Sequence, residues 1–443
     1  MGGDPTHPAV LAAPTRRALD APRTRAFVRA WGPTAAAALV CVVAVLVWRP
    51  AFYGDRHPVV DHIAYTEQAE QLLDGNLTLP DDADAPEGAV RLTAPGDDGR
   101  LFKYVPGTAA VGAASLWLTG GDGLARVGAL VLLVVATAGV AAVLGWSPWR
   151  RALAAVLVGA SPLVLSIDAV LLSYVPAVAL SMAALWLVLL ATVRESSVRR
   201  TLVLLVGAGL VLGAAFLVRQ IEVLAWLVVL CGWCALRAGP APTRRVVQVG
   251  AVLAGTVPGL VVLLLFNRAV TGDAFTLPFT VVSPDDGLGW GLRRVLPDDA
   301  LETFRLVDGI RTTPRATLDL LMWTIAGPAL AVGAVVALWT QRRDPTRWLL
   351  AALAAAVPLA FLFHWANAHA VWAGFYMGAG PFYYLACVPP LVLLGIEGLA
   401  RLPRNAVVAG VAVVLVVQTA FLADHLQDWR NGTDQAVAIV EAP

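Results

Sequence analysis

Charged residues are scarce in this chain. Only 14% of its 443 residues are Asp, Glu, Lys or Arg, 58% are hydrophobic, and the mean hydropathy is +0.72. Soluble globular domains carry about 25% charged residues. The deficit excludes a soluble globule of this length and predicts a polytopic membrane protein.

The chain also lacks segments of about ten residues that alternate apolar and polar side chains, the pattern of transmembrane barrels. Apolar runs of about 17–24 residues recur instead, and each is long enough to cross a hydrocarbon core of about 30 Å as a helix. Within one run, the spacing of Gly209 and Gly213 predicts close helix packing. Because a helix satisfies its own backbone in lipid, we predict an all-α bundle of about eleven spans, over residues 35–48, 123–145, 152–168, 174–193, 201–218, 220–237, 246–266, 317–340, 347–364, 380–399 and 405–423.

Several common kinds of site are missing as well. No Walker or Rossmann glycine fingerprint is present, which argues against nucleotide binding. Cys231 and Cys234 have the spacing of a redox pair, but they lie in an apolar run without basic neighbours, which favours a packing role. His364 and His369 are five residues apart and do not share a helix turn, which argues against a metal site. We predict no cofactor, and a divalent metal ion stays open.

Lysine is almost absent. Lys103 is the only lysine, and every other basic side chain is arginine. An ammonium group is a compact point charge, so a single lysine hints at a site that needs this shape; a chance occurrence is the alternative. Lys103 lies near the end of a polar segment, about residues 49–104, that continues into Phe-Lys-Tyr-Val-Pro-Gly at 102–107.

Arginine is concentrated in short connections between the apolar runs, at 149–151, 194–200, 237–245, 341–347 and 401–404. Arginine-rich short loops stay in the cytoplasm, so all five are predicted on that side together with the N terminus. No small-residue cleavage site follows the first run, which is therefore predicted to be a retained anchor. The scheme requires that the short run at 106–119 does not span the membrane but forms a re-entrant or interfacial helix.

The remaining polar residues collect on the opposite, extracytoplasmic face. We predict a disordered cytoplasmic tail at 1–30, a catalytic membrane module at 31–425 with ordered outer loops at 49–122 and 267–316, and a C-terminal tail at 426–443. Any chemistry is expected on the outer face, where nucleotide sugars and ATP are absent. The predicted location is a bacterial plasma membrane, and no nucleic-acid partner is expected.

Two aspartates are candidates for this chemistry. Asp61 begins a helix-like stretch, 61–73, that is expected to lie on the membrane surface, and it either caps this helix or presents its carboxylate to a substrate. Asp168 ends a predicted span close to Ser166 and Tyr174. An ionisable group at that depth usually faces a bundle interior, although a capping or snorkelling acid is the alternative.

Two further segments carry paired charges. Arg219 and Glu222 lie three residues apart at an outer corner, where they either pair with each other or line a cavity that binds an anionic headgroup. The loop at 267–316 combines aromatic residues, turn glycines and acids with Arg293 and Arg294. This mixture suits sugar stacking and phosphate binding; a structural cap over the bundle is the alternative.

Together these motifs resemble the GT-C fold glycosyltransferases, in particular the protein O-mannosyltransferase and lipid A aminoarabinose transferase group. The likeness covers about residues 30–425. Asp61 stands where the family's first-loop catalytic acid would be, and 102–107 stands at its Lys/Tyr-Pro-Pro element. The segments Gly272 to Arg294 and Tyr376 to Leu391 resemble later motifs of bacterial members.

The chain departs from the family pattern at three positions. His62, Val105 and Phe382 stand where a second acid, a proline and an arginine are usual. The acceptor therefore cannot be carried over from the resemblance.

The resemblance implies an inverting transfer of a sugar from a polyprenyl-phosphate donor to an acceptor hydroxyl of a lipid, glycan or protein. Asp61 would be the general base, and Lys103 and Arg219 would neutralise the departing phosphate. Asp168 would position the donor or the acceptor as the second catalytic residue. The other residues assigned to substrate binding are His62, Tyr104, Glu222, Arg293, Arg294 and Tyr376.

Two other functions stay open. A transporter or flippase could use the outer polar corners as a path, but transporters usually have repeated halves and charges near mid-membrane. No internal repeat is found here, and the charges lie at the ends of the apolar runs. A non-catalytic scaffold would leave Asp61 and Lys103 unexplained. Hexosyl and pentosyl donors are both open.

Overall fold

Helices account for almost all of the regular structure. The computed structural model describes residues 21–53, 59–81, 85–193, 197–295, 299–374 and 380–440. Two small antiparallel hairpins are the only sheets within these ranges. The predicted all-α fold class is confirmed.

The first half of the chain contains nine helices and one hairpin in its described residues. Proline begins α4, α6 and α7, where its fixed φ and missing amide hydrogen suit the first helical turn. The elements are α1 Ala21–Tyr53, α2 Val60–Leu73, α3 Glu87–Val90, β1 Thr93–Gly96, β2 Gly99–Phe102, α4 Pro106–Thr119, α5 Gly123–Val143, α6 Pro148–Gly159, α7 Pro162–Asp168, α8 Tyr174–Thr192 and α9 Val198–Phe216.

The second half continues the bundle and adds a second hairpin. The elements are α10 Ile221–Arg237, α11 Pro242–Thr271, α12 Pro278–Val282, β3 Gly291–Arg293, β4 Glu302–Phe304, α13 Leu306–Trp323, α14 Gly327–Thr340, α15 Pro345–Phe361, α16 Trp365–Trp372, a 3₁₀ helix Phe382–Cys387, α17 Val388–Leu399 and α18 Arg404–Val440. Residues 21–30, predicted to be disordered, are helical. The helix α18 runs without a break through the predicted start of the C-terminal tail.

The protein is a multi-pass membrane protein. Seven of the described helices are long and apolar enough to cross a membrane, or up to nine if each of two bent pairs is one span. The helices α10 and α15, of 17 residues each, fall just short of that length. The predicted helix over 106–119 is present as α4, and the count of eleven spans stays a prediction.

Two predicted spans are bent rather than straight. Residues 152–168 form α6 and α7, which meet at 58°, and 317–340 fall on α13 and α14, which meet at 109°. The predicted span over 317–340 is thus made of two helices, and whether the pair crosses the membrane stays a prediction. Pro162 and Pro328 explain the breaks, because proline lacks the amide hydrogen that would continue the preceding helix.

The sharper bend is closed by a side chain from α18. The Gln418 amide donates to the carbonyl oxygens of Leu321, Met322 and Thr324 at 2.7–3.1 Å and accepts from the Ala326 amide at 2.9 Å. A bend in an apolar bundle frees backbone groups that lipid cannot bind. Gln418 supplies the partners for these groups, so the bend is stabilised by a distant part of the chain.

Glycines allow α9 and α11 to touch along their backbones. A Cβ atom on Gly209 would clash with the Val252 carbonyl, and one on Gly255 would clash with the Val206 carbonyl. Small residues permit this close approach in membrane helices, where van der Waals contact drives association. The predicted packing role of Gly209 and Gly213 is confirmed.

Three arginine-rich connections meet at one end of the bundle. Glu397 of α17 pairs with Arg150 at 3.1 Å and with Arg347 and Arg401 at 3.6 Å each. Trp146 and Gln341 also donate to this carboxylate. The three connections thus lie at the same end, as predicted, while the side of the membrane they face stays a prediction.

Candidate functional site

Asp61 lies in the first turn of α2 at the opposite end of the bundle. The N-cap residue is Val59, and no side chain caps the helix, so the capping alternative for Asp61 is wrong. Its Oδ1 instead accepts a hydrogen bond from the Tyr104 hydroxyl at 2.6 Å, and its Oδ2 has no hydrogen-bond partner among the described residues. The side chain is half-buried. Asp61 therefore presents one carboxylate oxygen to the site.

Tyr104 is a fixed donor to this carboxylate. Its ring stacks on Tyr65 of α2, with 4.4 Å between the ring centroids. Burial raises the pKa of Tyr104 well above its ordinary value, and the negative charge of Asp61 raises it further. The phenol therefore stays protonated and holds Asp61 in one orientation.

The first hairpin and the following turn position Lys103 and Tyr104. The Lys103 amide donates to the Leu92 carbonyl at 2.9 Å, and the Gly107 amide donates to the Leu217 carbonyl at 2.7 Å. A Cβ atom at Gly107 would clash with that same carbonyl. Glycine is needed here because only a bare backbone fits against the corner that carries Arg219.

Lys103 is paired with an aspartate from the second outer loop. Its Nζ lies 3.5 Å from Oδ2 of Asp286, and the two side chains are 5% and 3% exposed. The ammonium also lies 4.7 Å from the centroid of the Phe279 ring. Burial raises the pKa of Asp286 to about 6, although the positive charge of Lys103 lowers it in part.

The Arg219 side chain is half-buried and has partners on several sides. Its Nε donates to Glu222 Oε1 at 2.6 Å, and its Nη1 donates to Ser173 Oγ at 3.2 Å. The guanidinium lies 3.8 Å from the centroid of the Tyr174 ring and 5.6 Å from that of Tyr383. The predicted pairing of Arg219 with Glu222 is present. Together with the two aromatic rings, this pair lines one side of the site.

His364 completes the cluster. It is buried, and its ring packs edge-on against Phe361 and Tyr383. Burial lowers the pKa of His364 to about 3, and the positive charges of Arg219 and Lys103 lower it further. The imidazole is therefore neutral at physiological pH.

These groups lie close enough to act on one another through their charges. The charge of Asp61 raises the pKa of Asp286, and both Arg219 and Lys103 act on His364. No group of three or more His, Cys, Asp or Glu residues within the described part of the chain is arranged to hold a metal ion. The arrangement brings a half-buried carboxylate, a buried lysine and a half-buried arginine to one end of an apolar bundle.

Several residues predicted for the site have other contacts. His62 is buried, and its Nδ1 accepts a hydrogen bond from the Leu171 amide at 3.1 Å, which ties α2 to the turn before α8. Arg293 donates to the carbonyls of Leu288 and Gly289 within its own loop. Arg294 pairs with Asp285 at 2.7 Å. Tyr376 lies outside the described residues.

Asp168 occupies a pocket of its own. This pocket is lined by Thr108 and Arg126, and the guanidinium of Arg126 donates to the backbone carbonyl of Asp168 at 3.2 Å. The oxygen Oδ2 of Asp168 is buried and has no hydrogen-bond partner among the described residues. The charged neighbours of Asp168 are Arg126 and Asp122 rather than the Asp61 cluster, so its catalytic assignment stays a prediction.

Sequence reasoning missed Asp286, Tyr383 and the placement of His364. Asp286 belongs to the loop predicted to be functional, and Tyr383 belongs to the motif that resembles a GT-C element. The sequence thus indicated that these two segments are functional, but it did not distinguish Asp286 or Tyr383 from the other residues within them. His364 had been weighed only as a metal ligand.

Comparison with known proteins identifies the fold. No known family profile and no curated protein sequence matches the chain. The chain is similar to ArnT from Cupriavidus metallidurans bound to undecaprenyl phosphate, with a TM-score of 0.54 and 18% identity over 85% of this chain and 63% of that chain. It is also similar to archaeal oligosaccharyltransferase AglB from Archaeoglobus fulgidus in complex with an inhibitory peptide and a dolichol-phosphate, with a TM-score of 0.50 and 12% identity over 89% and 56%.

These similarities confirm the expected fold. Both structures have the GT-C fold, and the chain shares it. The chain spans about three fifths of the length of ArnT and of AglB.

Proposed function

We propose that the protein is an integral membrane glycosyltransferase that moves a sugar from a polyprenyl-phosphate donor to an acceptor hydroxyl. The observation that carries this proposal is the half-buried Asp61 near the buried Lys103 and the half-buried Arg219, at one end of a GT-C bundle. Two solved structures of similar fold hold polyprenyl lipids, namely undecaprenyl phosphate and a dolichol-phosphate.

The reaction is a single displacement with inversion. The acceptor oxygen forms a bond to the anomeric carbon while the bond from that carbon to the phosphate oxygen breaks. Asp61 takes the hydroxyl proton through Oδ2, because Oδ1 is held by Tyr104. The step balances, because the proton lost by the acceptor hydroxyl goes to Asp61 and the lipid leaves as a polyprenyl phosphate.

The cations act on the leaving group. A glycosyl phosphodiester carries one negative charge, and the released phosphate carries a second as the bond breaks. Lys103 and Arg219 stabilise this developing charge, and fixed cations of this kind supply a large share of enzymatic rate enhancement. Arg219 is held by Glu222 and Tyr174, so it does not need to reorganise during the step.

The orientation follows from the charge at the other end of the bundle. Arg150, Arg347 and Arg401 meet there around Glu397. Because short arginine-rich connections usually remain in the cytoplasm, this cluster supports an orientation in which the Asp61 end faces the extracytoplasmic side and the N terminus lies in the cytoplasm. We propose a bacterial plasma membrane as the location.

A panel of donors tests the function. Membranes that contain the protein are incubated with polyprenyl phosphates that carry mannose, glucose or arabinofuranose, and the release of polyprenyl phosphate is measured. We expect release with at least one sugar, and none with the same sugar in Asp61→Asn membranes. The panel also separates hexosyl from pentosyl donors. Release that is equal in both membranes, or absent with every donor, contradicts the proposal.

A further inference from the structure

Two acids at opposite ends of the bundle, the half-buried Glu397 and the buried Asp286, differ in how many partners their oxygens have. Both oxygens of Glu397 have partners: Oε2 binds Arg150 and Trp146, and Oε1 binds Gln341. This is the saturated arrangement expected of a structural carboxylate, since a buried charge is costly unless it is paired and hydrogen-bonded.

Asp286 lacks this saturation. Its Oδ2 has a single contact with Lys103 at 3.5 Å, and its buried Oδ1 has no hydrogen-bond partner among the described residues. Native structures rarely leave a buried polar atom unpaired, and such atoms often mark a functional site. The pair is therefore a loosely held contact between two separate segments of the chain.

The charge of the site also favours a Lys103–Asp286 pair that separates when an anion binds. The cluster holds three carboxylates, on Asp61, Glu222 and Asp286, and its cations are Lys103, Arg219 and, from the loop of Asp286 itself, Arg293. His364 is neutral. A donor phosphodiester would add a further negative charge to a site that already holds three carboxylates. A carboxylate that lies against Lys103 also occupies the side of the ammonium that a phosphate needs.

The loop around Asp286 has limited freedom to move. The Gly289 amide donates to the Phe363 carbonyl at 2.7 Å, which fastens one side of the loop to the end of α15, and α12 fixes the other side. Between these anchors lie residues 283–288. A rotation of the Asp286 side chain or a small change in this short segment is enough to release Lys103.

We propose that Asp286 is the counter-ion of Lys103 in the free protein and that the donor phosphate displaces it. Until a donor binds, the lysine charge is therefore neutralised by Asp286. This inference rests on the proposed function, because it takes Lys103 to be a phosphate ligand. Asp286 then selects for anionic lipids that bind strongly enough to replace it, and it returns to Lys103 when the product leaves.

The proposal predicts a pH dependence of binding. The groups that face Asp286 are Lys103 from the first hairpin, Asp61 from α2 and Arg293 from its own loop. Because the pKa of Asp286 is raised to about 6, the carboxyl is neutral below that pH and ionised above it. Donor affinity should therefore be higher at pH 5 than at pH 8.

Binding of farnesyl methyl phosphate to the purified full-length protein tests this. This phosphodiester keeps one negative charge throughout that pH range, and farnesol serves as the uncharged control. In wild type we expect tighter phosphodiester binding at pH 5 than at pH 8, and Lys103→Ala should abolish the preference over farnesol. In Asp286→Asn we expect binding at pH 8 to be about tenfold tighter, the effect of removing one like-charge contact, and the pH dependence to be lost.

Asp285→Asn is the matched control, because the neighbouring Asp285 pairs with Arg294 rather than Lys103. It should behave as wild type does. Equal or weaker binding in Asp286→Asn, or a pH-independent wild type, overturns the role of Asp286. If Lys103→Ala still abolishes the preference for the phosphodiester over farnesol, the proposed function stands even though the role of Asp286 fails. A wild type with no preference for the phosphodiester over farnesol overturns both proposals.

Discussion

At the scale of single residues, Asp61 and Lys103 differ in how they are held. Asp61 is fixed through one oxygen by the Tyr104 hydroxyl, which leaves the other oxygen to act on a substrate. Lys103 is fixed by an acid from another loop. A base must be oriented before the reaction, whereas a phosphate ligand must be able to exchange its partner.

Asp61→Asn tests the role of the carboxylate. The amide keeps the shape of the side chain and its oxygen can still accept from Tyr104, but it cannot take a proton. We expect thermal stability close to wild type and a loss of transfer of about 10²–10⁴-fold, the usual contribution of a general base. The checks are thermal unfolding and the release of polyprenyl phosphate. Full transfer in Asp61→Asn would rule out the proposed mechanism.

Lys103→Ala should affect both stability and activity, for separate reasons. It leaves Asp286 buried without its cation, and breaking a buried pair costs up to about 3–5 kcal/mol. It also removes the proposed phosphate ligand. Thermal unfolding and donor turnover measure the two effects.

A double variant separates these effects. Lys103→Ala/Asp286→Asn should recover thermal stability while transfer stays low, whereas Lys103→Arg should retain some transfer because it keeps the charge. Normal turnover in the double variant would show that Lys103 does not contact the phosphate.

At the scale of elements, the turn at 102–107 connects a hairpin to α4 and places its side chains against the corner before α10. The close contact of Gly107 with the Leu217 carbonyl fixes this connection. A motif that resembles a family signature therefore has a local reason for its glycine: the backbone must approach another backbone.

Gly107→Ala should displace this turn. The added methyl group clashes with the Leu217 carbonyl, and overpacking of this kind costs about 1–3 kcal/mol. We expect a lower unfolding temperature and reduced transfer, since Lys103 and Tyr104 move with the turn. Gly128→Ala in α5 is the control, because nothing lies within 4 Å of a Cβ atom there. Equal behaviour of the two variants would show that the contact at Gly107 is dispensable.

At the scale of the whole molecule, charge is divided between the two ends of the bundle. The arginine cluster around Glu397 marks one end, and the Asp61 site lies at the other. The arginines from which the orientation is inferred are thus separate from the cations proposed to act in the chemistry.

Thiol labelling tests this orientation. On a background without native cysteines, a cysteine at Asp273 should react with an impermeant reagent added to intact cells, and one at Arg343 should react only after the membrane is opened. Both positions are exposed, which makes them better probes than Asp286, whose side chain is buried. Labelling of position 343 in intact cells would reverse the assigned orientation.

The sequence by itself determined the class of the molecule and several of its elements. The predicted helices over 61–73 and 106–119 are present as α2 and α4, because apolar composition and a starting proline act over short distances. Asp61, Lys103 and the Arg219–Glu222 pair could be singled out for the same reason: they are rare polar residues at the ends of apolar runs.

Only the tertiary structure decided which side chains meet. Asp286 is one of several loop acids, and nothing local distinguishes it from the exposed Asp273; its burial beside Lys103 depends on how two distant loops pack. The bend after Trp323 likewise depends on Gln418, far along the chain. Hydropathy and periodicity report the surface that a segment buries, whereas a contact between distant side chains depends on the packing of the whole bundle.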